Sequence, residues 1–297
     1  RGLEPLHPCE YWHLKPARLP FRHSRLIKVR LSPLGLRVMS QQFHFSSIAW
    51  RSEVGLHREG NEDSGLVTKN FIAVADGMGG YVGGEIASSA AIKALTELIP
   101  TLTDLEIDSD SRDDLYRSSA IAMDEAIAAV VRERAELSGM GTTITSLALF
   151  GDQVSLLHIG DSRAYRIRGK KITQLSHDHT VVQELIDQGR LNPYEIENHP
   201  QRSFLTQALM GNGNIEPILL AFPVEENDIY LVCSDGLTNV VDESKINAAF
   251  KSDIGAAIDA LIDLTYENGA PDNVSVVAAK IGKKPAVIET VLFGAAQ

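Results

Sequence analysis

Apolar and polar positions alternate loosely in FHFSSIAWRSEVGL, from Phe43 onward, the period-two pattern of a half-buried strand. LVTKNFIAVA, ending at Ala75, predicts a second strand or hairpin arm, with FIAVA apolar enough to be buried on both faces. The period then changes. Ala87, Ala91, Ala94, Leu95 and Leu98 share one face of a helix expected from about Glu85 to Leu98, which Pro100 should stop. A loop, TLTDLEIDSDSRDD, leads to a second helix through about Glu136, with Ala122, Ala126, Ala129 and Val130 facing inward. TTITSLALF, QVSLLHIG, RAYRIRG and KITQLS follow in quick succession, a meander that implies an antiparallel sheet. Residues 178–212 read as helix and loop, and IEPILLAF and DIYLVCS as strands. Helices are expected near 243–250 and 253–267, then a strand at NVSVVAAKI, with Gly282 to Gln297 as a tail. Long helices between runs of antiparallel strands give an α+β fold with helices covering sheet faces.

The chain has 297 residues, 44% of them hydrophobic, and a net charge of −11. Residues 1–38 carry eight Lys or Arg against two Asp or Glu, a net of +6, which leaves −17 on the rest. So acidic a body speaks against nucleic acid as a partner. The first 38 residues also hold five of the twelve prolines and show little periodicity, so they read as a disordered basic extension. The other reading is translated upstream sequence, since Met39 would make a start for MSQQFHF. Cys9 and Cys233 make no disulfide framework, which points to a reduced, cytoplasmic compartment. No apolar run approaches the ~20 residues of a membrane span, and the N-terminus lacks a signal peptide's apolar core.

The glycine-rich stretch VADGMGGYVGGE, Val74 to Glu85, is the first candidate for chemistry. No lysine lies between Asp76 and Lys93, which rules out a P-loop, and Val82 stands where a dinucleotide fingerprint needs its third glycine. The informative residue is Asp76, a carboxylate at the end of a buried strand. Asp161 after SLLHIG, Asp235 after IYLVCS and Asp272 before NVSVVAAKI share that setting, and Glu62 and Asp63 precede another strand. Any one of them is ordinary turn chemistry. Several buried like charges require a counterion. Oxygen donors without Cys/His pairs at zinc spacing indicate Mg²⁺ or Mn²⁺. His158 alternates within a strand and reads as a core histidine; His177 and His179 lie in loop and helix start. DSDSRDD lacks the glycine and the final acid of a calcium loop.

Taken in order, VGLHREGNEDS, VADGMGG with GGE, GTT, GDSR, DHT, HPQR, SDGL and PDNVSV resemble the metal-dependent Ser/Thr protein phosphatases of type 2C in their compact bacterial form, over about residues 44–281. The resemblance implies a four-layer α-β-β-α sandwich of two packed, mainly antiparallel sheets with a cleft at one edge. The catalytic domain would be 39–282, with a flap at about 178–212 and a tail at 283–297. Asp76 would bridge two Mn²⁺ or Mg²⁺ ions with the Gly77 carbonyl completing one site, and Asp235 and Asp272 would hold the first ion. Glu62 and Asp63 would lie around the second, mainly through water, and Asp161 with Asp235 would form a third, weaker site. Arg58 would clamp the phosphate, and a hydroxide bridging the metals would attack phosphorus in line. The implied substrates are phosphoserine and phosphothreonine on proteins, opposing a cognate Ser/Thr kinase, in a monomeric cytoplasmic enzyme with no membrane partner. A metal-binding adaptor without turnover, or a phosphatase acting on a partner-switching regulator, are the alternatives. Met78 stands where eukaryotic relatives have a histidine, and Ser203 where some bacterial relatives have one after HPxR, so neither the general acid nor the flap's substrate preference transfers.

Overall fold

The computed structural model describes residues 43–79, 83–104 and 108–297, all within the unit Ser40–Gln297. The expectations for residues 1–38 lie outside the described residues, as do Gly80, Tyr81 and Val82 of the glycine-rich stretch. The first half runs β1 (His44–Glu53), β2 (Ser64–Val67), β3 (Phe71–Ala75), β4 (Gly77–Met78), α1 (Gly84–Leu102) and α2 (Ser109–Glu133). The middle holds β5 (Gly141–Thr142), β6 (Ile144–Phe150), β7 (Gln153–Ile159), β8 (Arg163–Arg168), β9 (Lys171–Gln174) and α3 (Val181–Asp187). The last part holds β10 (Ile218–Pro223), β11 (Ile229–Cys233), α4 (Asp235–Thr238), α5 (Glu243–Ala249), α6 (Ile254–Glu267), β12 (Val274–Gly282) and β13 (Val291–Gly294).

Two antiparallel sheets result, one ordered β1-β12-β11-β8-β9 and the other β10-β7-β6-β3-β2-β13, with β4 and β5 as a small ladder beside them. Alternation along each strand feeds two cores at once. Ile72 and Val74 of β3 pack between the sheets with Tyr230, Val232 and Val277, while Phe71, Ala73 and Ala75 pack on α1 and α2. On the far side Leu231, Cys233, Val274 and Val276 meet Leu237 and the α6 stripe Ile254, Ile258 and Leu261. Three apolar interfaces thus separate four layers, the α-β-β-α order that the resemblance implies. Cys233 is a buried thiol inside the third of them. Among the described residues no helix is long and apolar enough to cross a membrane.

Three local expectations need correction. Pro100 lies inside α1, which runs on to Leu102; near the C-terminal end a proline removes a single helical hydrogen bond, and Thr103 N–H caps Ile99 O at 2.9 Å. The buried stripe of α2 is Tyr116, Ala120, Met123 and Ile127, with Ala122, Ala126, Ala129 and Val130 only half-buried beside it. Alanines are too small to report which face packs; the large side chains decide it. Residues 283–297, expected as a tail, contain β13, which extends the second sheet by pairing with β2 from Val291↔Val67 to Gly294↔Ser64. Phe293 is buried between the sheets, and Ala295 N–H donates to Asp63 O at 2.7 Å, so this segment braces the chain beside a candidate site residue. His158 is the core histidine expected, with Nδ1 against Thr145 Oγ1 at 2.9 Å and Nε2 against His177 O at 3.0 Å.

Candidate active site

Strand ends from both sheets converge at one edge of the sandwich. Asp76 leaves β3 and is held from the junction of β5 and β6: its N–H donates to Thr143 Oγ1 at 3.0 Å, and its carbonyl accepts from Thr143 N–H and Thr142 Oγ1, each at 2.9 Å. Asp161 sits in the turn between β7 and β8. From the other sheet, Asp235 opens α4 after β11 and receives Asn239 Nδ2 at 2.9 Å, and Asp272 stands just before β12. Glu62 comes from the β1–β2 connection. With Arg58, Gly77, Met78 and Thr143, these five acids line one cleft of about 590 Å³, a volume in the range of small-ligand sites. Residues 203–208 and Met210 complete its lining. Gly77 is the close approach that the opening motif suggested, because a methyl there would overlap the carbonyl oxygens of Gly84 and Glu62.

Asp63 lies behind the cleft rather than on it. It is fully buried, takes Ser234 Oγ on Oδ2 at 2.8 Å, and leaves Oδ1 without a partner. His177 and His179 stand apart from the acids: His177 Nε2 pairs with Asp187 Oδ2 at 2.7 Å, and His179 Nδ1 accepts from Gly160 N–H at 3.1 Å.

So many carboxylates in one place resist ionisation. Burial pushes Asp161 up to about 8, with Asp235 and Asp178 adding repulsion. Burial likewise raises Asp63 to about 7 against the opposing Ser234 hydrogen bond. Asp76 is held well above the usual carboxylate range by burial first and then by the charges of Asp63, Asp235, Asp161 and Asp272. Asp235 is raised by burial and by Asp272, against the hydrogen bond it shares with Asp76. Glu62 is raised by burial, with Arg58 pulling the other way. Arg58 is the one basic side chain among the described residues lining the cleft; its Nη2 donates to Asp272 Oδ2 at 2.7 Å, and its Nη1 lies 3.9 Å from Glu62.

The donor set fits divalent cations. Among the described residues the cleft lining offers oxygen ligands without thiols or imidazoles, and one arginine against five acids, while an unpartnered buried oxygen on Asp63 lies behind it. Among the described residues no three His, Cys, Asp or Glu side chains are already closed into a ligating cage. Arg58 lies among the acids instead.

The electrostatics predict a pH-dependent stability with a definite sign. A carboxyl whose pKa is raised by folding contributes stability below its unfolded value near 3.9, and that stability is lost as pH rises through the folded value. For Asp161 the window runs from about 4 to about 8. In chelator-treated protein, Asp161→Asn should match the wild-type melting temperature at the acid end and exceed it increasingly toward pH 8. Parallel thermal melts across that range check this, and a constant difference would contradict it.

Sequence reasoning missed Asn273, although it lies in the PDNVSV motif. It is buried; its Nδ2 donates to Val54 O at 2.8 Å and Gly60 O at 2.9 Å, and its Oδ1 accepts Glu62 N–H at 2.8 Å. One side chain therefore fixes the loop that carries Arg58 and Glu62 to the strand end that carries Asp272. Thr143, which fixes Asp76, was also visible in GTT but had no role attached to it.

The family profile described as Protein phosphatase 2C matches residues 61–260. The chain belongs to the protein phosphatase 2C family. It is 42% identical over 236 residues to the serine/threonine protein phosphatase PstP of Mycobacterium tuberculosis, a match that covers 78% of this chain and 44% of that protein. This chain thus spans less than half of that relative's length. It is 32% identical over 235 residues to the serine/threonine phosphatase stp of Listeria monocytogenes, covering 77% of this chain and 93% of that one. The solved structure of the Mycobacterium tuberculosis phosphatase PstP superposes with a TM-score of 0.74 at 41% identity, covering 79% of this chain and 97% of that chain. A structure of the PstP catalytic domain in complex with two manganese ions gives 0.72 at 38% identity, covering 80% and 99%. These solved structures of the relative therefore share this chain's architecture.

Proposed function

We propose that this chain hydrolyses phosphoserine and phosphothreonine esters on proteins with two divalent cations, Mn²⁺ or Mg²⁺, in the cleft. The observation that carries this reading is the convergence of Glu62, Asp76, Asp161, Asp235 and Asp272, from five separate connections, on one cleft beside Arg58. A relative that binds two manganese ions supports the metal count. Asp76 would be shared between the two ions with the Gly77 carbonyl, Asp235 and Asp272 would hold the first, and Glu62 would face the second, with Asp63 behind it. Asp161 with Asp235 would take a third, weaker ion. When bound, such ions lower the pKa of coordinated water so that hydroxide is available near neutral pH to attack phosphorus in line.

The rest falls to the chain. Arg58, now tied to Asp272, has a planar fork that matches two oxygens of a phosphate dianion. Thr143, on the cleft lining, holds Asp76, and Asn273 holds the Arg58–Glu62 loop in place. Met78 stands on the lining, and no histidine lines the cleft among the described residues, so no side chain is assigned as general acid. The cellular substrates are phosphoproteins made by a Ser/Thr kinase, and the enzyme acts as a cytoplasmic monomer.

Hydrolysis of a small aryl phosphate with and without Mn²⁺ tests the reading, and Arg58→Ala sharpens it. Removing a group that binds the dianion in ground and transition states alike should raise KM on the order of tenfold and leave kcat within about threefold. A lost kcat at unchanged KM would put Arg58 in the chemical step instead. No Mn²⁺-dependent hydrolysis by the wild type would overturn the assignment.

A further inference from the structure

The 203–210 segment of the cleft lining has exposed apolar tips on a firmly held backbone. Phe204 is 57% exposed and Met210 41% exposed, and both line the cleft. At one end Phe204 O accepts Val181 N–H at 2.9 Å, and Thr206 N–H donates to His179 O at 2.9 Å. At the other end Leu209 and Thr142 exchange backbone hydrogen bonds, each at 2.9 Å, and the Thr142 hydroxyl reaches Asp76 O.

The strongest anchor comes from the second helix. Asp124, buried on α2 at 3% exposure, accepts Met210 N–H at 2.9 Å and Gly211 N–H at 2.7 Å on Oδ1, and Gly213 N–H at 2.8 Å on Oδ2. Three backbone donors on one carboxylate make a charge-assisted clasp, stronger than neutral hydrogen bonds. Gly211, at φ +70°, lets the loop sit against the α2 backbone; a methyl there would lie 2.6 Å from Ala128 N. Exposed apolar groups on a backbone already ordered pay little entropy when a ligand covers them.

We propose that residues 203–210 form a preorganised wall that selects phosphoprotein segments with an apolar side chain beside the phosphorylated residue, and that Asp124 is the positioning residue that holds this wall. The inference rests on the phosphatase reading above. Charge disfavours an acidic occupant: the described cleft lining carries five acids and one arginine, on a body of net −17, so acidic neighbours of the phosphoresidue meet like charge, while the apolar tips of Phe204 and Met210 select for an apolar one.

The test uses the full chain with Mn²⁺ and two phosphothreonine peptides that differ in having Leu or Gln next to the phosphothreonine. The wild type should favour the Leu peptide in kcat/KM on the order of tenfold, the discrimination one apolar contact supplies, chiefly through KM. Phe204→Ser should bring the ratio close to one. Asp124→Ala should do the same, and Asp124→Asn, which keeps an acceptor for Met210 and Gly211, should restore most of it. A merely structural Asp124 would lower the melting temperature of Asp124→Ala without moving the ratio, and that result overturns the positioning role. If Asp124→Ala does not fold, the exposed changes Phe204→Ser and Met210→Ser decide the matter. Equal kcat/KM for the two peptides in the wild type overturns the wall while leaving the phosphatase reading intact. Failure to hydrolyse either peptide or an aryl phosphate at any Mn²⁺ concentration removes both.

Discussion

Asp76→Asn and Asp235→Asn should each cut turnover by on the order of a hundredfold or more, equivalent to about 2.7 kcal/mol of transition-state stabilisation. Each substitution keeps the shape of the side chain and deletes the charge that would hold divalent ions in the cleft. Loss of fold is the competing explanation for lost activity, and the electrostatics separate the two. In metal-free protein both carboxyls are raised by burial and by their acidic neighbours, so ionising them at neutral pH works against the fold. The neutral amide relieves that repulsion. Metal-free Asp76→Asn should therefore melt at or above the wild-type temperature at pH 7 to 8 while its phosphatase activity collapses. The stabilisation by added Mn²⁺, present in the wild type through binding to the folded state, should be largely lost in the variant. Aryl phosphate turnover and melting curves with and without Mn²⁺ check both halves. A variant keeping more than about a tenth of wild-type kcat at saturating Mn²⁺ would contradict the assignment.

The second large effect is expected at Asn273. Asn273→Asp retains an acceptor for Glu62 N–H but turns an oxygen toward Val54 O and Gly60 O, where the amide had donated. The carbonyls of half-buried Val54 and exposed Gly60 lose their donor, at about 1 kcal/mol each, and a new charge arrives on a buried side chain beside Asp272. The loop holding Arg58 and Glu62 is then repelled from the strand end it is fastened to. Stability should fall by about 3 kcal/mol or more, at about 2–4 °C per kcal/mol for a domain of this size. The specificity constant for aryl phosphate should drop with it, because two cleft residues lose their placement. A melting temperature within about 2 °C of wild type, with activity kept, would show that the loop is fixed by other contacts.

The candidate site was legible because its chemistry is local. Each acid is announced by a buried strand that stops beside Gly, Asn or Ser, and such stops can be read one at a time from Asp76, Asp161, Asp235 and Asp272. The layers were legible for the same reason: FIAVA and IYLVC are apolar on both faces, and a strand between two cores has to be. What escaped was set by partners far away in sequence. Asn273 and Asp124 look ordinary in their own segments; their weight comes from the backbone groups they meet, which lie more than 200 and more than 80 residues away. Asp63 and Glu62 are neighbours in the chain, yet one lines the cleft and the other is sealed behind it by Ser234 and the β13 segment. Nothing in GNEDS says which side each faces. The α2 stripe was misjudged because alanine suits either face of a helix, and β13 because its four residues are too few to establish a period.

Release of phosphate from a phosphothreonine peptide, followed as Mn²⁺ is titrated into chelator-stripped protein, tests the central claim most directly. Metal-free protein should release phosphate at the background rate, with activity rising saturably as Mn²⁺ is added and staying at background in Asp76→Asn. Hydrolysis that does not depend on metal, or none at any Mn²⁺ concentration, would contradict a divalent-metal phosphatase built on these acids.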